Sequence, residues 1–74
     1  MKQQWCKMTY NHVQDRWMVD VGGRSYELHC GEGFNLLLGS MSIPCRIEYD
    51  QQWYVIMPGA RFNLRKGNWY KVNI

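Results

Sequence analysis

Apolar and polar side chains alternate along this chain in short runs, and nowhere recur at the three- and four-residue spacing of a helix over eleven or more residues. A period of two is the mark of half-buried strands. Trp17, Val19 and Val21 alternate with Arg16, Met18 and Asp20, and beyond Gly22-Gly23 the segment Arg24 to His29 alternates Tyr26 and Leu28 with Ser25, Glu27 and His29. Two glycines accept the positive φ that a two-residue hairpin turn requires. Closing that turn sets Val19 opposite Tyr26 and Trp17 opposite Leu28, while Arg16, Met18 and Asp20 meet His29, Glu27 and Ser25, so the apolar faces coincide. A second hairpin lies at the centre of the chain. Cys45, Ile47 and Tyr49 alternate with Arg46, Glu48 and Asp50, and Trp53-Tyr54-Val55-Ile56-Met57 is apolar on both faces, which predicts the most buried strand, covered from both sides. A three-residue loop Asp50-Gln51-Gln52 pairs Tyr49 with Trp53, Ile47 with Val55 and Cys45 with Met57. The alternative, a two-residue Gln51-Gln52 loop, pairs Tyr49 with Tyr54 and Ile47 with Ile56; no Gly or Asn marks this turn.

Residues 4–10 predict a first strand with Cys6, Met8 and Tyr10 on one side and Trp5, Lys7 and Thr9 on the other, followed by a polar connection from Asn11 to Asp15. Cys30-Gly31-Glu32-Gly33 reads as a glycine bend, Phe34 to Leu38 as a short apolar strand stopped by Gly39, and residues 39–42 as a connection. After Pro58-Gly59, a three-residue loop at 66–68 sets Leu64 against Tyr70 and Phe62 against Val72. The alternative for residues 61–66 is one 3₁₀ turn feeding a closing strand. Six or seven short strands separated by turn signals predict an all-β domain spanning residues 1–74, a small antiparallel barrel of SH3-like form first, with an OB-like barrel or rolled meander as alternatives.

Composition adds constraints to that outline. At 74 residues the chain is near the lower size limit for a self-sufficient core, and its eleven aromatic residues are chiefly needed to build one. Three cysteines cannot all pair within one chain, and Met1 to Cys6 holds no apolar signal stretch, which predicts a reducing cytoplasm and free thiols. The longest apolar run is the five residues 53–57, against roughly 20 for a bilayer span. No membrane partner is expected. Charge is uneven: residues 51–74 carry Arg61, Arg65, Lys66 and Lys71 with no acid, whereas residues 1–50 hold five bases and six acids.

Candidate chemistry is sparse. His29 and Cys30 are potential metal ligands or a nucleophile and base, but no Cys-x-x-Cys or His-x-x-x-His knuckle accompanies them, and adjacent residues on a strand point to opposite faces. Cys6 and Cys45 fall in phase with apolar positions, as buried thiols do. Glu27 and Glu48 fall on polar strand faces, where solvated charge is the ordinary role. Gly31 and Gly33 form only a fragment of a nucleotide-binding signature. No catalytic set, metal or cofactor is predicted; His29, Cys30 and Glu32 are kept as a candidate functional bend. The basic C-terminal third carries more weight, because Arg61, Arg65, Lys66 and Lys71 interleave with Phe62, Trp69 and Tyr70. Small barrels hold single-stranded DNA or RNA in this way, with cations on phosphates and rings on bases. The expected interface is Arg61, Arg65, Lys66, Trp69 and Lys71, with Trp69 and Lys71 sharing one strand face.

Ser-Tyr-Glu-Leu-His-Cys-Gly-Glu at 25–32, Cys-Arg-Ile-Glu-Tyr-Asp at 45–50, Trp53-Tyr54 and the Val-Asn-Ile end carry a family resemblance over about residues 16–74, most specifically in Leu-His-Cys-Gly-Glu. The chain resembles a small uncharacterised domain family encoded on conjugative transposons and related mobile elements of Gram-positive bacteria. The resemblance implies a cytoplasmic accessory protein and brings no activity or site residues. The expectation is therefore a non-catalytic binding module, for nucleic acid or, alternatively, for a protein from the same element held at a strand edge or aromatic patch.

Overall fold

The computed structural model describes residues 5–74. The alternating segments form eight strands: β1 (Cys6–Asn11), β2 (Arg16–Val21), β3 (Arg24–Glu27), β4 (Gly33–Leu38), β5 (Met41–Tyr49), β6 (Trp53–Met57), β7 (Ala60–Asn63) and β8 (Tyr70–Asn73). They make one antiparallel sheet in the order β3-β2-β1-β8-β4-β5-β6-β7, with no helix among the described residues. This is the predicted all-β class, in a small barrel-like form. Gln4, where the predicted first strand begins, lies outside the described residues.

Both leading hairpins have the predicted register. Val19 pairs with Tyr26 and Met18 with Glu27 around Gly22 and Gly23, whose φ values of 56° and 83° are those the turn demands. β3 ends at Glu27, two residues early, yet Leu28 N–H still donates to the Trp17 carbonyl at 2.9 Å. Around the three-residue loop Tyr49 pairs with Trp53 and Ile47 with Val55. Gln51 occupies the left-handed position there, at φ 61°, without being glycine.

The chain after β3 closes the sheet. Gly31, at φ 91°, donates its N–H to the Ile47 carbonyl at 2.8 Å, and Ile47 N–H donates to the Glu32 carbonyl at 3.0 Å. Since β5 stands five places from β3 in the sheet order, those bonds require the sheet to roll over. The concave side becomes the core: Trp17, Leu36, Ile47, Val55 and Val72 are fully buried, and Trp17 lies 5.5 Å from Tyr10 and 5.7 Å from Tyr70 between ring centroids. Trp17 Nε1 is the one buried side-chain polar atom without a partner among the described residues, an arrangement that costs about 1–3 kcal/mol.

Three expectations are corrected. The hairpin pairing Leu64 with Tyr70 and Phe62 with Val72 does not form, nor does a 3₁₀ turn. Instead β7 folds back on β6 around Pro58-Gly59, pairing Val55 with Phe62, and β8 inserts between β1 and β4. Phe62 and Tyr70, which the expected hairpin did not pair, meet edge to face across the core at 6.0 Å with no shared ladder. Residues 41–42 belong to β5, which pairs Leu38 with Met41 across the Gly39-Ser40 turn. Pro44 is tolerated inside β5 because the β6 ladder reaches only to the Arg46–Ile56 pair. Finally, β6 is covered by a protein layer on one side only. Trp53 and Val55 face the core, while the half-buried Tyr54 on the other face is covered by the Arg61 guanidinium, 3.8 Å from its ring centroid.

Candidate functional site

The outer face of the sheet holds the strands' polar side chains. On the C-terminal segment Trp69, Lys71 and Asn73 follow one another at alternate positions and share that face. Lys71 is directly opposite Lys7 of β1. Trp69 is 53% exposed, with the Lys7 ammonium 5.0 Å from its ring centroid. A cation over an exposed indole is worth about 0.5–1 kcal/mol, whereas two like charges directly across a ladder repel. On its other side Lys7 faces Asp20 of β2, but that carboxylate accepts the Ser25 hydroxyl at 3.3 Å and makes no ion pair among the described residues. Two ammonium groups and an indole thus share one exposed patch, with a single carboxylate, Asp20, in the same row and no ion pair to it. An anion can bind between the lysines, and an aromatic ring can stack on Trp69.

The remaining predicted cations lie elsewhere. Arg61 sits on β7, four strands from β8, which at about 4.8 Å per strand is roughly 19 Å along the sheet. Arg65 and Lys66 lie in the loop after β7, where Arg65 N–H donates to the Tyr70 hydroxyl at 3.0 Å. Lys66 extends to the mouth of the barrel, its ammonium 4.9 Å from the Tyr10 ring centroid and beside Asp15. Asp15 accepts the Tyr10 hydroxyl and, at 3.4 Å, Trp53 Nε1–H. The Tyr10 hydrogen bond, then that of Trp53, and the charges of Lys66 and Arg16 hold the Asp15 carboxyl below its ordinary range. In return, the bond to Asp15 pushes the Tyr10 hydroxyl up to about 12. The structure therefore brings Trp69 and Lys71 together, adds Lys7, and separates Arg61, Arg65 and Lys66 from them. Lys7 escaped the sequence reading because its strand lies in the half of the chain where acids outnumber bases; only the β1–β8 pairing reveals it.

In the bend, Glu32 accepts His29 N–H at 2.8 Å and the Tyr26 hydroxyl at 3.0 Å, which raises the Tyr26 pKa. It shapes the turn that stitches β3 to β5. His29 and Cys30 are exposed, and Cys30 shares a depression of about 290 Å³ with Asp15, Arg16, Tyr49 and Trp53. No three His, Cys, Asp or Glu side chains gather as a metal-holding group among the described residues. Burial pushes the Cys45 thiol up to about 11.

The geometry defines a small antiparallel domain with a buried concave core and a basic, aromatic outer patch. The chain belongs to the family described as Domain of unknown function (DUF5348), whose model matches residues 6–74. A crystal structure of a protein from Ruminococcus gnavus, a structural-genomics target, is similar in fold: TM-score 0.77 at 23% identity, covering 96% of this chain and 100% of that one. No curated protein sequence matches the chain. No helix among the described residues is long and apolar enough to cross a membrane.

Proposed function

We propose that this chain is a non-catalytic binding module that holds single-stranded DNA or RNA on the outer face of β1 and β8. The observation that carries the reading is the Lys7–Lys71 pair beside the exposed Trp69. Two ammonium groups held against their own repulsion are relieved by a phosphate, and an indole beside them offers a base its π-face. Arg61, on its Tyr54 platform four strands away, is a separate cation outside this interface. The same reading puts the protein in the cytoplasm of a bacterium carrying a conjugative transposon or related element, where single-stranded intermediates supply the ligand.

A second reading, a protein adaptor, draws on the two ends of the sheet. β3 and β7 each have one neighbour in the sheet order, and Tyr26 on β3 is exposed, so an extended peptide from a protein of the same element could add a strand there. Fluorescence anisotropy of a labelled oligonucleotide against rising salt separates the two. Nucleic-acid binding gives an affinity whose logarithm falls linearly with the logarithm of salt, by about 0.7 per phosphate neutralised. Absence of binding at low salt sinks the nucleic-acid reading.

A further inference from the structure

Next to the lysine pair the outer face carries a row of polar side chains. Asn35 of β4 and Asn73 of β8 are directly paired, and Pro44 of β5 stands opposite Asn35 on the other side, so the three form a row across the sheet. Asn73 lies two residues from Lys71 on the same face, about 7 Å away. Gly33, Asn35, Pro44, Asn73 and Ile74 line a depression of about 380 Å³. Both asparagines are half-buried, and neither enters a side-chain hydrogen bond among the described residues.

Gly33 is the informative residue. Its φ is not positive, and a Cβ there would meet only the Cys45 carbonyl at 3.6 Å, an ordinary contact. Backbone conformation therefore does not require glycine. At the first position of β4, glycine leaves the outer face open beside Asn35, with room for a group that approaches closely. Two uncommitted carboxamides beside that clearance supply donors and acceptors side by side, the groups that read a base edge.

Resting on the nucleic-acid reading above, we propose that this depression receives a nucleobase of the bound strand, with Asn35 and Asn73 hydrogen-bonding its edge while Lys7 and Lys71 hold the neighbouring phosphate. A carboxamide meets an edge that offers a donor beside an acceptor, most often adenine, through one accepted and one donated hydrogen bond, and adenine-containing single strand is the ligand class proposed. The module then selects bases as well as binding phosphate.

The test compares short homopolymers of dA, dC and dT by anisotropy on the parent, on Asn35→Ala with Asn73→Ala, and on Gly33→Val, with amide spectra confirming that each variant folds. Gly33→Val narrows the depression without removing either carboxamide, its Cβ in ordinary contact with the Cys45 carbonyl. The parent is expected to favour dA by about tenfold. Both variants should bring dA to the level of dC and dT while leaving the salt slope unchanged. Equal parent affinity for the three homopolymers, or a dA preference that survives in the variants, overturns base selection while leaving phosphate binding standing. Absence of salt-dependent binding to any homopolymer overturns the underlying reading and this one with it.

Discussion

On the outer face Arg16 and Arg46 each have a carboxylate at hand, Glu27 at 3.2 Å and Glu48 at 2.7 Å, whereas Lys7 and Lys71 face one another across β1 and β8. The two arginines sit in the ordinary way of a solvated sheet surface, with each charge answered by a neighbour. Exposed pairs of that kind contribute little, about 0.2–1 kcal/mol, and ask for no partner outside the chain. At the lysines Asp20 stands directly opposite Lys7 but accepts the Ser25 hydroxyl and makes no ion pair among the described residues. What differs is therefore the balance of charge: one region sets each cation against a carboxylate in contact, and the other sets two ammonium groups against one carboxylate that contacts neither.

The largest expected effect comes from reversing the unanswered region. Lys7→Glu with Lys71→Glu should weaken single-strand binding roughly tenfold or more and flatten the salt slope, read by anisotropy at several salt concentrations. Trp69→Ala removes the stacking ring and should lose about 1–3 kcal/mol of binding with the salt slope retained. Lys71→Glu alone sharpens the contrast, because it turns a repelling cross-strand pair into an attracting one: thermal unfolding should show a gain of about 0.2–1 kcal/mol while affinity falls. At the neutralised region, Arg46→Ala should leave affinity unchanged and stability within about 1 kcal/mol of the parent.

Acid and alkali probe a third, self-satisfied cluster at the barrel mouth. Asp15 titrates below its ordinary value when folded, so its contribution is complete above about pH 4 and is lost as pH falls toward that lower value. Tyr10 titrates high, so the same hydrogen bond contributes fully below pH 10 and is lost as pH rises toward about 12. Denaturation midpoints against pH should show both limbs, and Asp15→Asn should flatten both.

The sequence was most legible where information is local. Gly22-Gly23 states its own turn, and the apolar phases on either side leave one register; Tyr49 against Trp53 followed from phase alone, although Gln51 gave no sign of its positive φ. β8 was illegible as to partner, since Cys6 to Met8 and Asn35 to Leu36, which it joins, lie far from it in the chain. An alternating strand reveals which face is apolar, not which neighbours it will have. The candidate site divides along the same line. Trp69 and Lys71 on one face were readable from a period of two, whereas Lys7 and the Asn35–Asn73 row exist only through long-range pairing. Grouping Arg61, Arg65 and Lys66 with them rested on sequence proximity, which the fold undoes by placing β7 and β8 in different parts of the sheet.

The most direct test is a two-dimensional amide NMR titration of labelled protein with short single-stranded oligonucleotides, repeated at higher salt. Binding on the β1–β8 face predicts shifts at Lys7, Thr9 and residues 69–73 that shrink as salt is added. A well-dispersed spectrum that does not move, or salt-insensitive shifts confined to β3 or β7, would contradict it.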